Sequence, residues 1–297
     1  MFSALFLAAS MLTISDRDNF WDVNQISEQT QFADVDGAGV TKLLSGQQIE
    51  QAMEQMKDKK ILIFVHGFDT PQPYGYYEDI QVNIQNLDPG SQYDTMIGYV
   101  WPCESLDYLA AKSNIEIVAP RFRNFLMQLR PTASQVDVLA HSLGNRLVLV
   151  ASNITPDTSN SGLISNFFSI APAVAEDSID KDESFYQSVQ NFNNMYVFYS
   201  KRDSTLKWKY PLVEWNEALG YGGDEHPDDL PGNVQFVDCT TVIDSHSGYL
   251  FSPRIYHFLQ QVQSNQIPGP KDAQDVSITG DDGWEVTRWR QAKINLL

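Results

Sequence analysis

VDVLAHSLGNR, residues 136–146, carries an apolar strand pattern straight into Ala140-His141-Ser142-Leu143-Gly144 and on into a helical stretch from Leu143 to Ser152. A chain that passes from strand to helix in so few residues forces its central residue into a strained backbone conformation. The flanking residues must then be small enough for strand and helix to approach. Ala140 and Gly144 meet that demand, with Ala140 standing for the first glycine of G-x-S-x-G, so the pattern is that of a nucleophile elbow. It predicts Ser142 at the N-terminal end of the helix with its hydroxyl exposed above the sheet. The Leu143 amide would point to where negative charge develops on a reacting oxygen. A plain serine–glycine turn capping a helix accounts for the pentapeptide but not for the strand and helix on its two sides.

Working outward, short apolar runs recur at 61–66 (ILIFVH), 96–101 (MIGYVW), 164–170 (ISNFFSI), 195–200 (MYVFYS) and 234–238 (VQFVD). Helical candidates lie between them: Gln47 to Lys57 behind a Ser45/Gln48 capping box, Tyr77 to Leu87, Asn114 to Leu129, and Arg254 to Val262 behind Ser252 and Pro253. Strands without clean alternation, separated by helices, predict an α/β fold with a mostly parallel sheet covered on both faces. Residues 204–232 break the rhythm. They are rich in Trp, Tyr, Gly and Pro and too long for an ordinary connection, and they read as a cap or wall beside a site. The organisation expected is residues 1–57 as N-terminal strand and helix elements of one domain, 58–263 as its core with the insert at 204–232, and 264–297 as a C-terminal wrapping tail. Met1 to Ile14 fits a buried strand and its exit; a leader's apolar core is the lesser reading, because the usual basic flank is missing.

The 297 residues hold 20 Lys plus Arg against 38 Asp plus Glu, a net charge of −18. Phosphate neutralisation needs clustered basic side chains, so nucleic acid is excluded as a partner. No apolar run reaches the roughly 18 residues of a membrane span, and no integral membrane segment is expected. Cytoplasm is the default location, and the oligomeric state is left open.

His66-Gly67-Phe68 ends the strand at 61–66. Ligands in parallel sheets gather beyond the carboxyl ends of the strands, so this turn and the Ser142 elbow can share one edge. Gly67 permits close backbone approach, and the Phe68 amide is the natural second donor to an oxyanion. Taken in order, His66-Gly67-Phe68, Val100-Trp101-Pro102, Ala140 to Arg146, Tyr199-Ser200-Lys201-Arg202-Asp203 and Ser245-His246-Ser247-Gly248-Tyr249 resemble the signatures of an uncharacterised bacterial family of α/β-hydrolases over residues 58–263. The resemblance implies the α/β-hydrolase fold with strand order 1-2-4-3-5-6-7-8 and a Ser-Asp-His triad. Cys103 departs from it, since such proteins usually carry serine after Trp-Pro.

The acid and base follow from chain order, which in this fold runs serine, acid, histidine. Asp203 lies just beyond the strand at 195–200; of its rivals, Asp177 sits one strand too early and Asp224 lies inside the insert, far from a strand end. Among the histidines, His66 and His141 precede the serine, and His257 falls within a helix. His226 sits amid Asp224, Glu225, Asp228 and Asp229, an acidic loop or at most a weak cation site without ordered ligand spacing. His246 remains, in the loop after the strand at 234–238.

These readings converge on an esterase- or lipase-like serine hydrolase without cofactor or metal, cleaving a small-molecule or lipid ester. In it Ser142 is the nucleophile, His246 the general base and Asp203 its orienting acid. The Phe68 and Leu143 amides form the oxyanion hole, and Trp101, Trp208 and Trp215 wall the substrate pocket. The alternative is a non-catalytic α/β-hydrolase scaffold used for binding or assembly. The implied strand order also separates Cys103 from Cys239 by five spacings of roughly 4.8 Å, about 24 Å in all, whereas a disulfide tolerates less than about 7 Å between Cα atoms. Thiol titration under denaturing, non-reducing conditions is expected to count two free thiols; an intramolecular bridge would overturn the order.

Overall fold

Successive side chains of a strand face opposite ways, and in the middle of this chain both ways are apolar. Along β4 (Lys60–Val65), Ile61, Ile63 and Val65 enter one buried cluster, Leu62 and Phe64 the other. A strand with two apolar faces is stable only inside a sheet with helices on both sides. The computed structural model describes residues 10–267, apart from 37, 89, 91, 104–105, 155–161, 225 and 227, together with 270, 275–278 and 284–287. Residues 1–9 of the apolar start, Glu225, and most of the expected tail lie outside the described residues.

One sheet of eleven strands results among the described residues. In chain order the others are β1 (Met11–Arg17), β2 (Ile26–Val35), β3 (Thr41–Leu43), β5 (Thr95–Val100), β6 (Gln135–His141), β7 (Ile164–Ile170), β8 (Phe192–Tyr199), β9 (Val234–Asp238), β10 (Asp275–Ile278) and β11 (Trp284–Thr287). Their spatial order is β11-β10-β9-β8-β7-β6-β4-β5-β1-β2-β3. Every pair from β1 to β10 in this order is parallel, while β2, β3 and β11 join antiparallel at the ends. The run β5-β4-β6-β7-β8-β9 meets the expected 4-3-5-6-7-8. The first two strands depart from it, because the chain's first strand lies inside and its second outside. Burial explains the swap: all of β1 is buried, whereas β2 is mostly half-exposed and suits the periphery.

Ten helices are described: α1 (Gly46–Glu54), α2 (Tyr74–Gln85), α3 (Tyr108–Leu129), α4 (Gly144–Ser152), α5 (Tyr186–Gln190), α6 (Ser204–Trp208), α7 (Tyr210–Glu214), α8 (Leu219–Gly222), α9 (Gly248–Phe251) and α10 (Pro253–Gln263). Helix α3 starts six residues earlier than its apolar spacing predicts, because the Asp107 carboxylate accepts from the Leu109 and Ala110 amides and caps it there. Helices α3 and α4 cover the face of Ile61 and Ile63; α2 and α10 cover the face of Leu62 and Phe64. No described helix is long and apolar enough to cross a membrane. Cys103 and Cys239 are free and buried, one beyond β5 and the other beyond β9.

The 204–232 insert folds as α6, α7 and α8, rooted by Leu206, Tyr210 and Ala218 in the core and by a bridge from Ala218 to Ala175. At its far end, Asp224 meets Asp180 of the segment after β7, with His226 Nδ1 3.9 Å from the Asp180 carboxylate. Burial, then the Asp224 carboxyl and the charges of Asp177 and Asp229, push the Asp180 carboxyl up to about 8. The folded chain therefore binds this proton more tightly than the unfolded chain. Its stabilising share is complete in acid, below the ordinary carboxylate range, and is lost as pH rises towards 8. Asp180→Asn, which removes the charge and keeps the shape, is expected to raise Tm clearly at about pH 9 and by a smaller amount at about pH 5. Equal shifts at both pH values would count against the assignment.

Candidate active site

Because β4, β6, β8 and β9 run parallel, their carboxyl ends open on one edge of the sheet. His66-Gly67-Phe68 follow β4, Ser142 follows β6, Asp203 lies beyond β8 and His246 beyond β9. Residues far apart in sequence thus reach one place.

At the elbow Ser142 takes φ = 54°, the left-handed region that side chains avoid. Several contacts hold it there. The Ser142 N–H donates to Ile170 O at 3.1 Å, and the buried Asn145 side chain donates to Ser142 O at 2.9 Å and to Ile170 O at 3.1 Å. A Cβ on Gly144 would stand 2.4 Å from His66 O, and one on Gly67 would stand 2.8 Å from the Ser142 Cβ. Both glycines are there because the turn after β4 and the Ser142 elbow touch. Asn145 was not singled out in the sequence, though it directly follows the motif.

His246 Nε2 lies 2.8 Å from Ser142 Oγ, and His246 Nδ1 lies 2.7 Å from Asp203 Oδ2. Asp203 is fully buried. Its Oδ1 caps α6, accepting from the Thr205 and Leu206 amides at 3.0 Å each, which leaves Oδ2 for the histidine. With Nδ1–H committed to the carboxylate, Nε2 is the acceptor that faces the serine hydroxyl. The rivals are elsewhere. Asp177 accepts from the Asn216 side chain at 3.4 Å, and Asp224 meets Asp180. His141, set aside in the sequence because it precedes the serine, takes a supporting place: its Nε2–H donates to His246 O at 2.9 Å and the two rings lie 4.7 Å apart. Burial, then the proximity of His246, push His141 down to about 3, so it stays neutral. His257 stands on α10 beside Gln261, away from the site.

On the opposite side of Ser142, His66 is buried and flat against Trp101, with ring centroids 5.5 Å apart. Its Nε2 accepts from the Trp101 N–H at 3.1 Å, so the ring proton sits on Nδ1, which donates to Gly67 O at 2.8 Å. The Thr70 hydroxyl donates to the same oxygen at 3.1 Å. A trans peptide directs its C=O and N–H oppositely, so anchoring Gly67 O turns the Phe68 N–H away from these groups. Burial, then the Arg17 charge, hold His66 well below its ordinary range and hence neutral.

Between these parts runs a cleft of about 380 Å³, lined by Phe68, Tyr76, Tyr108, Leu206, Tyr210 and Val213, with Asp69 and Lys209 adding one charge of each sign. None of the three tryptophans expected there reaches it. Trp101 is fully buried beneath the His66 turn, its indole N–H on His66 O at 2.9 Å. Trp208 is 65% and Trp215 91% exposed. The reason is helical period: α6 and α7 run on through Lys209, which keeps helical angles. Leu206, Tyr210 and Val213, spaced i, i+4, i+7, share the inward face, and the tryptophans fall on the other. The insert borders the cleft through Leu206, Tyr210 and Val213 and not through its tryptophans. That spacing was the signal available in the sequence.

Residues 44–221 match the family described as "Alpha/beta hydrolase of unknown function (DUF900)". No curated protein matches the chain. Among solved structures, a hyperthermophilic esterase from the archaeon Pyrobaculum calidifontis is similar over 84% of this chain and 71% of its own, at 11% identity and a TM-score of 0.34, and at that distance it carries no argument.

Proposed function

The chain belongs to the α/β-hydrolase family that residues 44–221 match, and we propose that it is a serine hydrolase acting on uncharged carboxylic esters. One observation carries the reading: a strained, cleft-facing serine in line with a histidine at 2.8 Å, itself 2.7 Å from a buried aspartate whose other oxygen accepts from two backbone amides. In this reading His246 Nε2 takes the Ser142 proton as Oγ bonds to the acyl carbon. Asp203 keeps its negative charge and steadies the imidazolium. The carbonyl π electrons move onto oxygen, where the Phe68 and Leu143 amides receive the charge; neither amide has an acceptor in the chain among the described residues. Collapse expels the alkoxide, protonated by His246, and leaves an acyl group on Ser142. Water activated by His246 then repeats the cycle and frees the acid.

An ester suits the cleft because Phe68, Tyr76, Tyr108, Leu206, Tyr210 and Val213 give it an apolar wall beside its polar groups, and Asp69 and Lys209 offset each other, so no cluster of one sign awaits a charged head group. A fluorophosphonate probe is the direct test. Wild-type protein should be labelled and Ser142→Ala should not; an unlabelled wild type would make the chain a binding scaffold. Ester turnover is expected to fall by about 10⁴ to 10⁶ in Ser142→Ala and by about 10⁴ in Asp203→Asn, with Asp177→Asn near wild type. If Asp177→Asn were the inactive one, the acid would have been misassigned.

The cleft gives a second test. Leu206→Trp narrows the inward face of the insert and is expected to shift preference in a p-nitrophenyl ester series towards shorter acyl chains. Trp215→Ala, on the outward face, should leave the series unchanged. The opposite pattern would place the acyl group outside this cleft.

A further inference from the structure

Arg17, the last residue of β1, is fully buried and carries its charge without a carboxylate partner among the described residues. Burying an unpaired guanidinium is costly, so its surroundings must satisfy its donors. They do so from two loops at the carboxyl edge of the sheet. Nε donates to Trp101 O at 2.8 Å, Nη1 to Pro71 O at 2.9 Å, and Nη2 to Thr70 O at 2.7 Å and to Cys103 Sγ at 3.2 Å. Nη2 also lies 3.4 Å from His66 Nε2. The loop after β4 and the loop after β5 are thereby fixed to each other through one planar fork.

What the fork fixes is the support of the Phe68 amide. Trp101, held by its carbonyl, presents its N–H to His66 Nε2; His66 consequently donates from Nδ1 to Gly67 O, and Thr70, held by its own carbonyl, donates its hydroxyl to the same atom. Both donors that anchor the Gly67–Phe68 peptide rest on groups that Arg17 holds. The positive charge beside the ring also opposes protonation of His66, which would turn Nε2 from acceptor into donor and break the Trp101 link.

We propose that Arg17 is a positioning residue of the oxyanion cradle: it clamps Thr70, Pro71 and Trp101, and through the His66 ring it aims the Phe68 N–H at the oxygen that becomes negative in the reaction. The inference rests on the serine-hydrolase reading above. It predicts a loss confined to transition-state stabilisation. In Arg17→Lys and Arg17→Gln, kcat on a short p-nitrophenyl ester should fall by about 10² to 10³, the scale for losing one oxyanion donor. KM should stay within about threefold, as expected when an interaction made only in the transition state is lost. The pH midpoint of kcat/KM should not move, because His246 and Asp203 are untouched. Circular dichroism and Tm establish that each variant is folded.

A second pair keeps the inference testable if neither Arg17 variant folds. Asparagine places a side-chain N–H near the position of Nδ1, whereas glutamine places its own near Nε2. His66→Asn is therefore expected to retain kcat within about tenfold, and His66→Gln to lose on the order of 10² or more. Folded Arg17 variants with wild-type kcat, losses carried by KM, or a His66→Gln enzyme as active as His66→Asn would each overturn the proposal. Fluorophosphonate labelling of the wild type separates the two levels. A labelled wild type with indifferent Arg17 and His66 variants refutes the positioning role alone. An unlabelled wild type refutes the serine-hydrolase reading, and the positioning role falls with it.

Discussion

The close approach of the β6–α4 turn to the end of β4 is the constraint from which the site follows. Ser142 adopts a left-handed backbone only because Ile170 O, Asn145 and the packing of Gly144 on His66 O leave it no other conformation. The same approach puts the Gly67 backbone against the serine side chain. The Ser142 elbow and the His66-Gly67-Phe68 turn are therefore one contact seen from two strands, and the parallel sheet supplies the edge on which it forms.

Around this contact three buried side chains, Asp203, His66 and His141, make specific hydrogen bonds. Asp203 divides its two oxygens between a helix cap and an imidazole. His66 and His141 are both held neutral by burial; His66 donates to the carbonyl of the adjoining Gly67 and His141 to that of His246 in a neighbouring loop. Buried neutral histidines of this kind act as fixed hydrogen-bond donors rather than as acids or bases. His246, by contrast, faces the cleft with its Nε2 turned to the Ser142 hydroxyl.

Much of this arrangement was legible in the sequence where a local constraint and a spacing coincide. A strained strand-to-helix turn demands small residues at fixed offsets, so the Ser142 elbow is visible in five letters. Asp203 and His246 could be reached because chain order restricts each role to the end of a particular strand. The substrate wall was not readable by counting aromatics, since Trp208 and Trp215 are outward on a helical turn whose inward positions are Leu206, Tyr210 and Val213. The inner place of β1 was hidden because burial on both sides, rather than chain order, decides which strand lies inside. Arg17 left no trace, because its partners are mostly backbone carbonyls 53 to 84 residues away, and a carbonyl carries no side-chain signature.

The cap of α6 has a consequence of its own. A single carboxylate starts the helix whose face borders the cleft and also accepts from the His246 imidazole, so the cleft wall and the Ser142–His246–Asp203 chain of hydrogen bonds share one anchor. They cannot diversify independently. An exchange of this insert with one of different length would have to preserve the first turn after Asp203, and variation in this segment should accumulate beyond Leu206 while its root stays fixed. Substrate range would then evolve by repainting the far portion of a lever whose pivot is chemically committed.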